Sequence, residues 1–148
     1  MKVHIKKLTD TAKIPTRGSD GAAGYDLYAD IQKPVAIWPY ETVKIGTGIA
    51  MEIPEGYFGA IFARSGIATK KGLRPANCVG VIDHDYRGEI IVALHNDKTI
   101  SNMGIKVLPG ERIAQLVLIP FMSMDFVEVS DLSETDRGDG GFGSTGKS

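Results

Sequence analysis

Apolar residues recur at every second position in short stretches of this chain, with polar or charged residues between them. Alternation of period two places successive side chains on opposite faces of a β-strand, so each stretch predicts a half-buried strand. The stretches are Val3/Ile5, Val43/Ile45, Ile49/Met51/Ile53 and Phe58/Ala60/Phe62. Glycine and proline separate them at regular intervals, which is typical of sandwiches, jelly rolls and barrels built from many short strands.

Two continuous apolar runs, 90–94 and 113–119, extend this pattern. The second run is hydrophobic enough for a buried helix, but its valine and isoleucine content and the bounding Gly110 and Pro120 favour a strand. Only 65–71 is predicted to be helical, over about two turns at most. We therefore predict one all-β domain over 1–135, with a jelly-roll-like or distorted-barrel fold, followed by a flexible glycine-rich arm at 136–148.

Composition narrows the range of partners. The 148 residues are 43% hydrophobic and 24% charged, with a net charge of −1. A nucleic-acid polymer needs a broad basic surface, which this charge argues against, whereas a single nucleotide needs only a local cluster of cations. Cys78 is the one cysteine, and the three histidines share no metal-ligand spacing with it, which argues against a disulfide and a zinc site. No stretch resembles a signal peptide or a membrane span, so we predict a cytoplasmic protein with no membrane partner.

The C-terminal stretch RGDGGFGSTG, at 137–146, combines glycines with one arginine, one aromatic ring and two hydroxyls. Glycine allows backbone N–H groups to close on an anion, while an aromatic ring stacks on a base. Composition alone also fits a disordered tail. We predict an arm that is mobile alone and becomes ordered over a nucleotide.

A second candidate nucleotide-binding segment, 63–70, comes directly after a predicted strand. It contains small residues and then a short predicted helix. Unpaired N–H groups at a helix start attract phosphate, and Arg64 and Ser65 stand where they would add charge-assisted hydrogen bonds. The alternative is a serine helix cap beside a surface arginine. The spacing of a P-loop is absent.

A third candidate, 80–89, packs three acids, an arginine and a tyrosine behind an apolar start. As a strand–turn–strand it would place Asp83 and Asp85 on one side, with the turn at Gly88. Because Asp83 follows Ile82, we predict a carboxylate at the edge of a buried strand, shielded enough to act as a base. A polar hairpin tip is the alternative.

Two isolated polar residues stand in apolar strands. Alternation places Gln115 on one face with Ile113, Val117 and Ile119, and a buried amide without a partner costs about 1–3 kcal/mol. Gln115 therefore either bonds a neighbouring backbone group or serves a ligand. Asp26 is a lone acid in an apolar strand, and its alternative role is to cap a turn at a strand end.

Taken in order, these segments resemble the five motifs of the trimeric dUTPase family. The motifs are AGYDLYA at 23–29, ARSGIATKKG at 63–72, NCVGVIDHDYRGE at 77–89, ERIAQLVLIP at 111–120 and RGDGGFGSTG at 137–146. The resemblance covers most of the chain and implies a jelly-roll-like subunit in a homotrimer with shared active sites. It also implies hydrolysis of dUTP to dUMP and pyrophosphate with Mg²⁺, which keeps uracil out of DNA and supplies dUMP for thymidylate synthesis.

The resemblance also assigns roles by motif position. Asp83 would orient and deprotonate the water that attacks the α-phosphorus. The residues implied in base and sugar binding are Asn77, Gly80, Ile82, Tyr86 and Phe142. Within this set Asn77 bonds the uracil edge, Tyr86 packs under the deoxyribose and excludes a 2′-hydroxyl, and Phe142 stacks on uracil.

The remaining roles concern the phosphates and the metal. The residues implied in phosphate binding are Arg64, Ser65, Gly66, Gln115, Arg137, Gly143, Ser144 and Thr145. Gly66 stands where many relatives have a second serine, which removes a hydroxyl but keeps the backbone donor. Asp26 would reach the Mg²⁺ indirectly, through water.

Two other functions remain open from the sequence. A dCTP deaminase has a similar fold and phosphate turn, but it would need a glutamate base and a pocket for a 4-amino group. The second alternative is a regulatory protein that binds dUTP and acts through a protein partner. The segment 82–88 and the complete arm favour the hydrolase.

Overall fold

Strands dominate the computed structural model, which describes residues 1–98 and 104–141. The described residues form twelve strands and one helical turn, Ile67–Lys71. The first six strands are β1 (His4–Lys7), β2 (Thr16–Arg17), β3 (Tyr25–Tyr28), β4 (Val35–Ile37), β5 (Thr42–Gly46) and β6 (Ile49–Glu52). The other six are β7 (Tyr57–Phe62), β8 (Leu73–Pro75), β9 (Gly80–Ile82), β10 (Ile91–Asn96), β11 (Ile105–Val107) and β12 (Arg112–Pro120).

The strands form four antiparallel sheets. A five-stranded sheet has the order β2-β3-β12-β7-β9, and a three-stranded sheet has the order β5-β10-β8. Two further pairs, β1-β6 and β11-β4, complete the arrangement. Neighbours in the sheets are mostly distant in sequence, as expected of jelly-roll connections. The predicted all-β, jelly-roll-like fold is confirmed.

One core of aliphatic side chains joins the sheets. In β10, Val92 and Leu94 are buried, whereas Ile91, the first residue of the strand, is exposed. Leu27 and Leu116 meet this core from the five-stranded sheet. The period-two alternation in the sequence correctly marks the core-facing side at Val43/Ile45 and Ile49/Met51/Ile53. In β7 the predicted side, Phe58/Ala60/Phe62, is wrong, because Tyr57 and Ile61 face the core instead.

The run 113–119 is a strand, as its β-branched content predicted. β12 lies between β3 and β7 and pairs with both. Its register against β3 shifts between Arg112 and Ala114, so that Ile113 and Ala114 are both buried. The prediction that Ile113 shares a face with Gln115 is wrong, because this bulge interrupts the alternation.

Beyond β12 the chain leaves the sheets as an exposed apolar segment, 121–132. All of its residues are exposed, and its large apolar members are Phe121, Met122, Met124, Phe126, Val127, Val129 and Leu132. Phe126 is 91% exposed. Seven large apolar side chains exposed along one segment of a folded chain indicate an interaction surface. Within the described ranges, no helix is long and apolar enough to cross a membrane.

Candidate active site

A buried carboxylate lies between two arginines on the five-stranded sheet. Asp26 Oδ1 accepts a hydrogen bond of 2.6 Å from Arg64 Nε, and Asp26 Oδ2 accepts one of 3.2 Å from Arg112 NH1. Such charge-assisted bonds fix the guanidinium groups, so Asp26 orients Arg64. Sequence reasoning assigned no role to Arg112, whose only signal was a cation three residues before the isolated Gln115.

Gln115 completes this cluster. It lies opposite both Asp26 and Phe62 in the sheet, and its Nε2 donates to the Ala63 carbonyl at 2.9 Å. A Cβ atom at Gly24 would lie 2.5 Å from Gln115 Oε1, so glycine there makes room for the amide. Of the two roles that the sequence allowed for Gln115, the hydrogen bond to a neighbouring backbone group is present. This bond fixes the end of β7 next to Arg64.

Ser65 and Gly66 follow Arg64 and are both exposed. Gly66 begins the helical turn as its N-cap, without a side-chain capping bond, so Ser65 does not cap this helix. Instead, its carbonyl accepts a hydrogen bond of 2.6 Å from Thr69 Oγ1. The hydroxyl and backbone groups at the start of this turn are therefore presented to solvent beside a guanidinium.

Lys71, at the end of the helical turn, donates to Glu111 just before β12. Burial alone would raise the pKa of Glu111, but hydrogen bonds from Lys71 and from the Leu108 N–H together lower it. A lowered folded pKa means that this contribution to stability is present above the unfolded pKa of glutamate and is lost as the pH falls through the folded pKa. The contact anchors the phosphate-turn candidate to the sheet.

A tight turn precedes β9. Cys78 has φ +61°, its N–H donates to the Pro75 carbonyl at 3.0 Å, and the Val79 N–H donates to the Asn77 carbonyl at 2.6 Å. Asn77 is exposed, and a Cβ atom at Gly80 would lie 3.6 Å from its Nδ2. We call residues 77–79 the Asn77 turn. It presents an amide and strained backbone groups next to a glycine.

The segment after β9 does not form the predicted hairpin. β9 ends at Ile82, and a turn closes with the Tyr86 N–H donating to the Asp83 carbonyl at 3.2 Å. The next strand, β10, pairs with β5 and β8 rather than with β9. The prediction of a turn at Gly88 is wrong, because β9 finds its partner in β7 and the acids enter a turn, which they favour.

A cleft of about 230 Å³ opens at this turn. It is lined by Val81, Ile82, Asp83, Tyr86, Glu89 and Ile91. Tyr86 Oη donates to the Glu89 carbonyl at 3.0 Å. Asp83 is exposed, so the predicted shielding is not provided by its own chain: β9 is an edge strand and nothing in the sheet lies beyond it.

Gly88, next to the cleft, and Glu89, which lines it, position Tyr86. A Cβ atom at Gly88 would lie 2.4 Å from Tyr86 Oη and 2.6 Å from Cζ, so the ring lies directly on this glycine. Glu89 Oε1 accepts a hydrogen bond of 2.8 Å from the Gly48 N–H and thereby ties the Tyr86 loop to the turn between β5 and β6. Sequence reasoning missed Glu89; its signal was an acid directly before a buried isoleucine.

The two groups of candidate residues lie at opposite ends of β7. Gly59 pairs with Ile82, so Asp83 lies level with Phe58, whereas Arg64 follows the far end of the strand. Six residues of extended chain span about 20 Å. The Asp26–Arg64–Gln115 cluster and the Asp83–Tyr86 cleft of one chain therefore do not meet.

The start of the arm forms a turn of its own. Arg137 Nε donates to the Gly140 carbonyl at 2.8 Å, and Gly138 has φ +53°. The structure does not bring Arg137 to the cluster or the cleft. The predicted arm residues Phe142, Gly143, Ser144 and Thr145 lie outside the described residues.

The donor set limits how a metal ion would bind. In residues 1–98 and 104–141, no group of three His, Cys, Asp or Glu side chains has the arrangement to hold an ion. Both oxygens of Asp26 are engaged by arginines, so this carboxylate fits an ion only through water. Mg²⁺ keeps several waters and takes phosphate oxygens as ligands, which is compatible with these residues.

Comparison with known proteins gives a consistent result. The family model described as dUTPase matches residues 10–146. The deoxyuridine 5′-triphosphate nucleotidohydrolase of Hydrogenobaculum sp. is 49% identical over 146 residues, covering 99% of each chain. The fold is similar to that of the Staphylococcus bacteriophage 80alpha dUTPase solved with dUPNHPP, with a TM-score of 0.86, 30% identity and 99% coverage of both chains. It is also similar to a dUTPase variant from phage phi11 of S. aureus, solved with a structural Mg(II) ion, with a TM-score of 0.80, 25% identity and coverage of 90% of this chain and 100% of that one.

Proposed function

The chain belongs to the dUTPase family, and on that premise we propose that it hydrolyses dUTP to dUMP and pyrophosphate. This proposal rests on the cleft, because Asp83 and Tyr86 both line it. It offers a proton acceptor beside a flat surface of the size of a sugar ring. By removing dUTP and forming dUMP, the reaction keeps uracil out of DNA and supplies a thymidylate precursor.

Asp83 is the general base. Its carboxylate lies at the rim of the cleft, where it accepts the proton of a water molecule as that water attacks the α-phosphorus. A base of this kind contributes a factor on the order of 10²–10⁴ to the rate. The leaving group is pyrophosphate, whose developing negative charge must be stabilised by cations.

Arg64, Ser65, Gly66 and Gln115 form the phosphate side of the site. Asp26 holds the Arg64 guanidinium in place, and Gln115 fixes the strand end from which the phosphate turn leaves. Mg²⁺, when bound to the substrate phosphates, supplies further charge stabilisation, and Asp26 would contact it through water. In the arm, Arg137, Gly143, Ser144 and Thr145 complete the phosphate contacts, and Phe142 stacks on the base.

The active site is shared between subunits of a homotrimer. Two observations support this. The two halves of the site lie about 20 Å apart in one chain. All residues of the apolar segment 121–132 are exposed in the described structure, although the Phe121 ring meets that of Phe58. Cyclic closure of three copies would bring the cleft of one chain to the phosphate cluster of its neighbour. The same closure would shield Asp83.

A mixing experiment tests the shared site. Asp83→Asn and Arg64→Gln should each be inactive alone, but co-refolding them in equal amounts should restore about a quarter of the wild-type sites, because each variant supplies the half that the other lacks. Glutamine keeps a donor for Asp26. The control mixes Asp83→Asn with the double variant, which should restore nothing; absence of rescue in the first mixture would contradict a shared site.

The proposed activity is tested by pyrophosphate release from dUTP, dTTP, dCTP and UTP, each with and without Mg²⁺. We expect pyrophosphate to be released from dUTP and from none of the other three nucleotides, and only when Mg²⁺ is present. Ammonia from dCTP would instead indicate a deaminase. Tight dUTP binding without turnover would favour the regulatory alternative.

Gly88→Ala should weaken discrimination against the ribose 2′-hydroxyl. The new methyl group would displace the Tyr86 ring, because it would lie 2.4 Å from the hydroxyl oxygen. A clash discriminates more strongly than a missing contact, so kcat/KM for UTP relative to dUTP should rise by about tenfold or more. Gly21→Ala is the control, because neither Gly21 nor Gly88 has a positive φ and a Cβ atom at Gly21 meets no neighbouring atom within 4 Å. An unchanged UTP to dUTP ratio in Gly88→Ala would contradict the role of the ring.

A further inference from the structure

A bidentate ion pair lies directly behind the Asn77 turn. Arg74, in β8, donates from Nε to Asp97 Oδ2 at 2.6 Å and from NH2 to Asp97 Oδ1 at 3.0 Å. Its third nitrogen, NH1, points the other way, to the Pro75 carbonyl at 3.2 Å and the Ala76 carbonyl at 3.3 Å. It also lies 3.9 Å from Cys78 Sγ. One planar group therefore contacts a fixed carboxylate on one side and the approach to the turn on the other.

The carboxylate itself is held in place. The Asp97 N–H donates to the Gly72 carbonyl at 2.9 Å, and Asp97 Oδ1 lies 3.5 Å from His95 Nε2. His95 Nδ1 hydrogen bonds with Thr42 Oγ1 at 2.9 Å. In the sheet, His95 also pairs with Arg74. Asp97 is thus a rigid support rather than a freely rotating surface acid.

The turn that Arg74 contacts needs support from its surroundings. Cys78 adopts a left-handed conformation without being glycine, which is energetically unfavourable. Such a conformation persists only where neighbouring groups hold it. Arg74 NH1 contacts the carbonyl before Asn77 and the sulfur after it, and so spans the residue whose amide is exposed.

We propose that Arg74 and Asp97 form a clamp that positions the Asn77 turn for the pyrimidine base, and so set base affinity and selectivity. The proposal rests on the proposed function, in which Asn77 bonds the uracil edge. Arg74 does not touch the base in this scheme; it is a positioning residue. Because the clamp acts on the base half of the substrate, it should affect binding of the nucleoside part and leave the phosphate chemistry unchanged.

Arg74→Lys tests the clamp. Lysine keeps the charge, but one ammonium group cannot contact Asp97 on one side and the turn on the other at the same time. We expect KM for dUTP and the inhibition constant of dUMP to rise about five- to tenfold, with kcat within about twofold of wild type. The inhibition constant of inorganic pyrophosphate should not change. Selectivity for dUTP over dTTP should fall.

Two further variants separate positioning from a general loss of stability. Arg17→Lys is the matched control, because Arg17 contacts the Asp20 carbonyl and the Tyr25 ring instead of the turn, and it should leave all of these constants unchanged. Asp97→Asn should raise the same two constants, and the double variant with Arg74→Lys should be no worse than Arg74→Lys alone, because both changes break one clamp.

The outcomes are distinguishable. If wild type hydrolyses dUTP but Arg74→Lys leaves KM and dUMP inhibition unchanged, or weakens pyrophosphate to the same extent, the clamp is refuted and the proposed function stands. Additive effects of Arg74→Lys and Asp97→Asn would also refute it. If wild type does not hydrolyse dUTP, the proposed function itself fails.

Discussion

Asp83→Asn is expected to lower kcat for dUTP by a factor on the order of 10²–10⁴ while leaving nucleotide binding largely intact. Asparagine keeps the shape of the side chain and still hydrogen bonds a water molecule, but it cannot accept its proton. Because Asp83 is exposed at the end of an edge strand, the substitution removes no buried contact of its own chain and should leave the fold unchanged.

The measurement pairs single-turnover hydrolysis with calorimetric binding of a non-hydrolysable dUTP analogue. Asp85→Asn is the control, because Asp85 is an exposed acid in the same turn and has no assigned role. It should retain at least most of the wild-type rate. Near wild-type turnover in Asp83→Asn would show that another group takes the proton.

Removal of the arm after Thr135 should abolish most activity, on the order of 10²-fold or more in kcat/KM, in a protein that still folds and assembles. The hydrogen bonds described for the arm, from Arg137 to Gly140 and from Gly138 to Thr135, all stay between 135 and 140. Within the described part of the arm, 136–141, truncation therefore removes no hydrogen bond to the core. It removes the proposed base stacking and the γ-phosphate contacts that would complete the site for a triphosphate.

The point variant Phe142→Ala should lose only part of the activity, because the phosphate contacts of the arm remain. Sedimentation and thermal unfolding of the truncated protein should match wild type, which distinguishes loss of the arm from loss of the fold. Hydrogen exchange in the arm should slow more with a dUTP analogue than with dUMP. Full activity after truncation would show that the arm is the disordered tail that its composition also fits.

The strands were predictable because burial acts locally. In β5 the exposed Thr42 and Lys44 alternate with Val43 and Ile45, as the sequence pattern predicted. The β-branched content of 113–119 distinguished a strand from a helix. The chemistry of Arg64, Gln115 and Asp26 was also visible as polar residues in apolar surroundings. These signals depend on neighbours along the chain.

What escaped prediction depends on neighbours in space. Asp26 meets Arg112 across 86 positions of sequence, and Glu89 meets Gly48 across 41. The turn after Ile82 was misplaced because the partner of β9 is β7, a pairing that no local pattern encodes. The resemblance implied sites shared between subunits, but the sequence alone does not show that one chain holds the two groups of candidate residues about 20 Å apart.

The exposed apolar segment has a consequence for the newly synthesised chain. Until the proposed partner subunits cover it, it presents seven large exposed apolar side chains, a composition that favours aggregation. Acids stand at every third position along it and just beyond it: Asp125, Glu128 and Asp131 within the segment and Glu134 after it, all exposed. Their mutual repulsion disfavours stacking of identical segments, as charged gatekeeper residues do. Salt screens that repulsion, so a higher ionic strength should favour aggregation of chains whose segment is still uncovered.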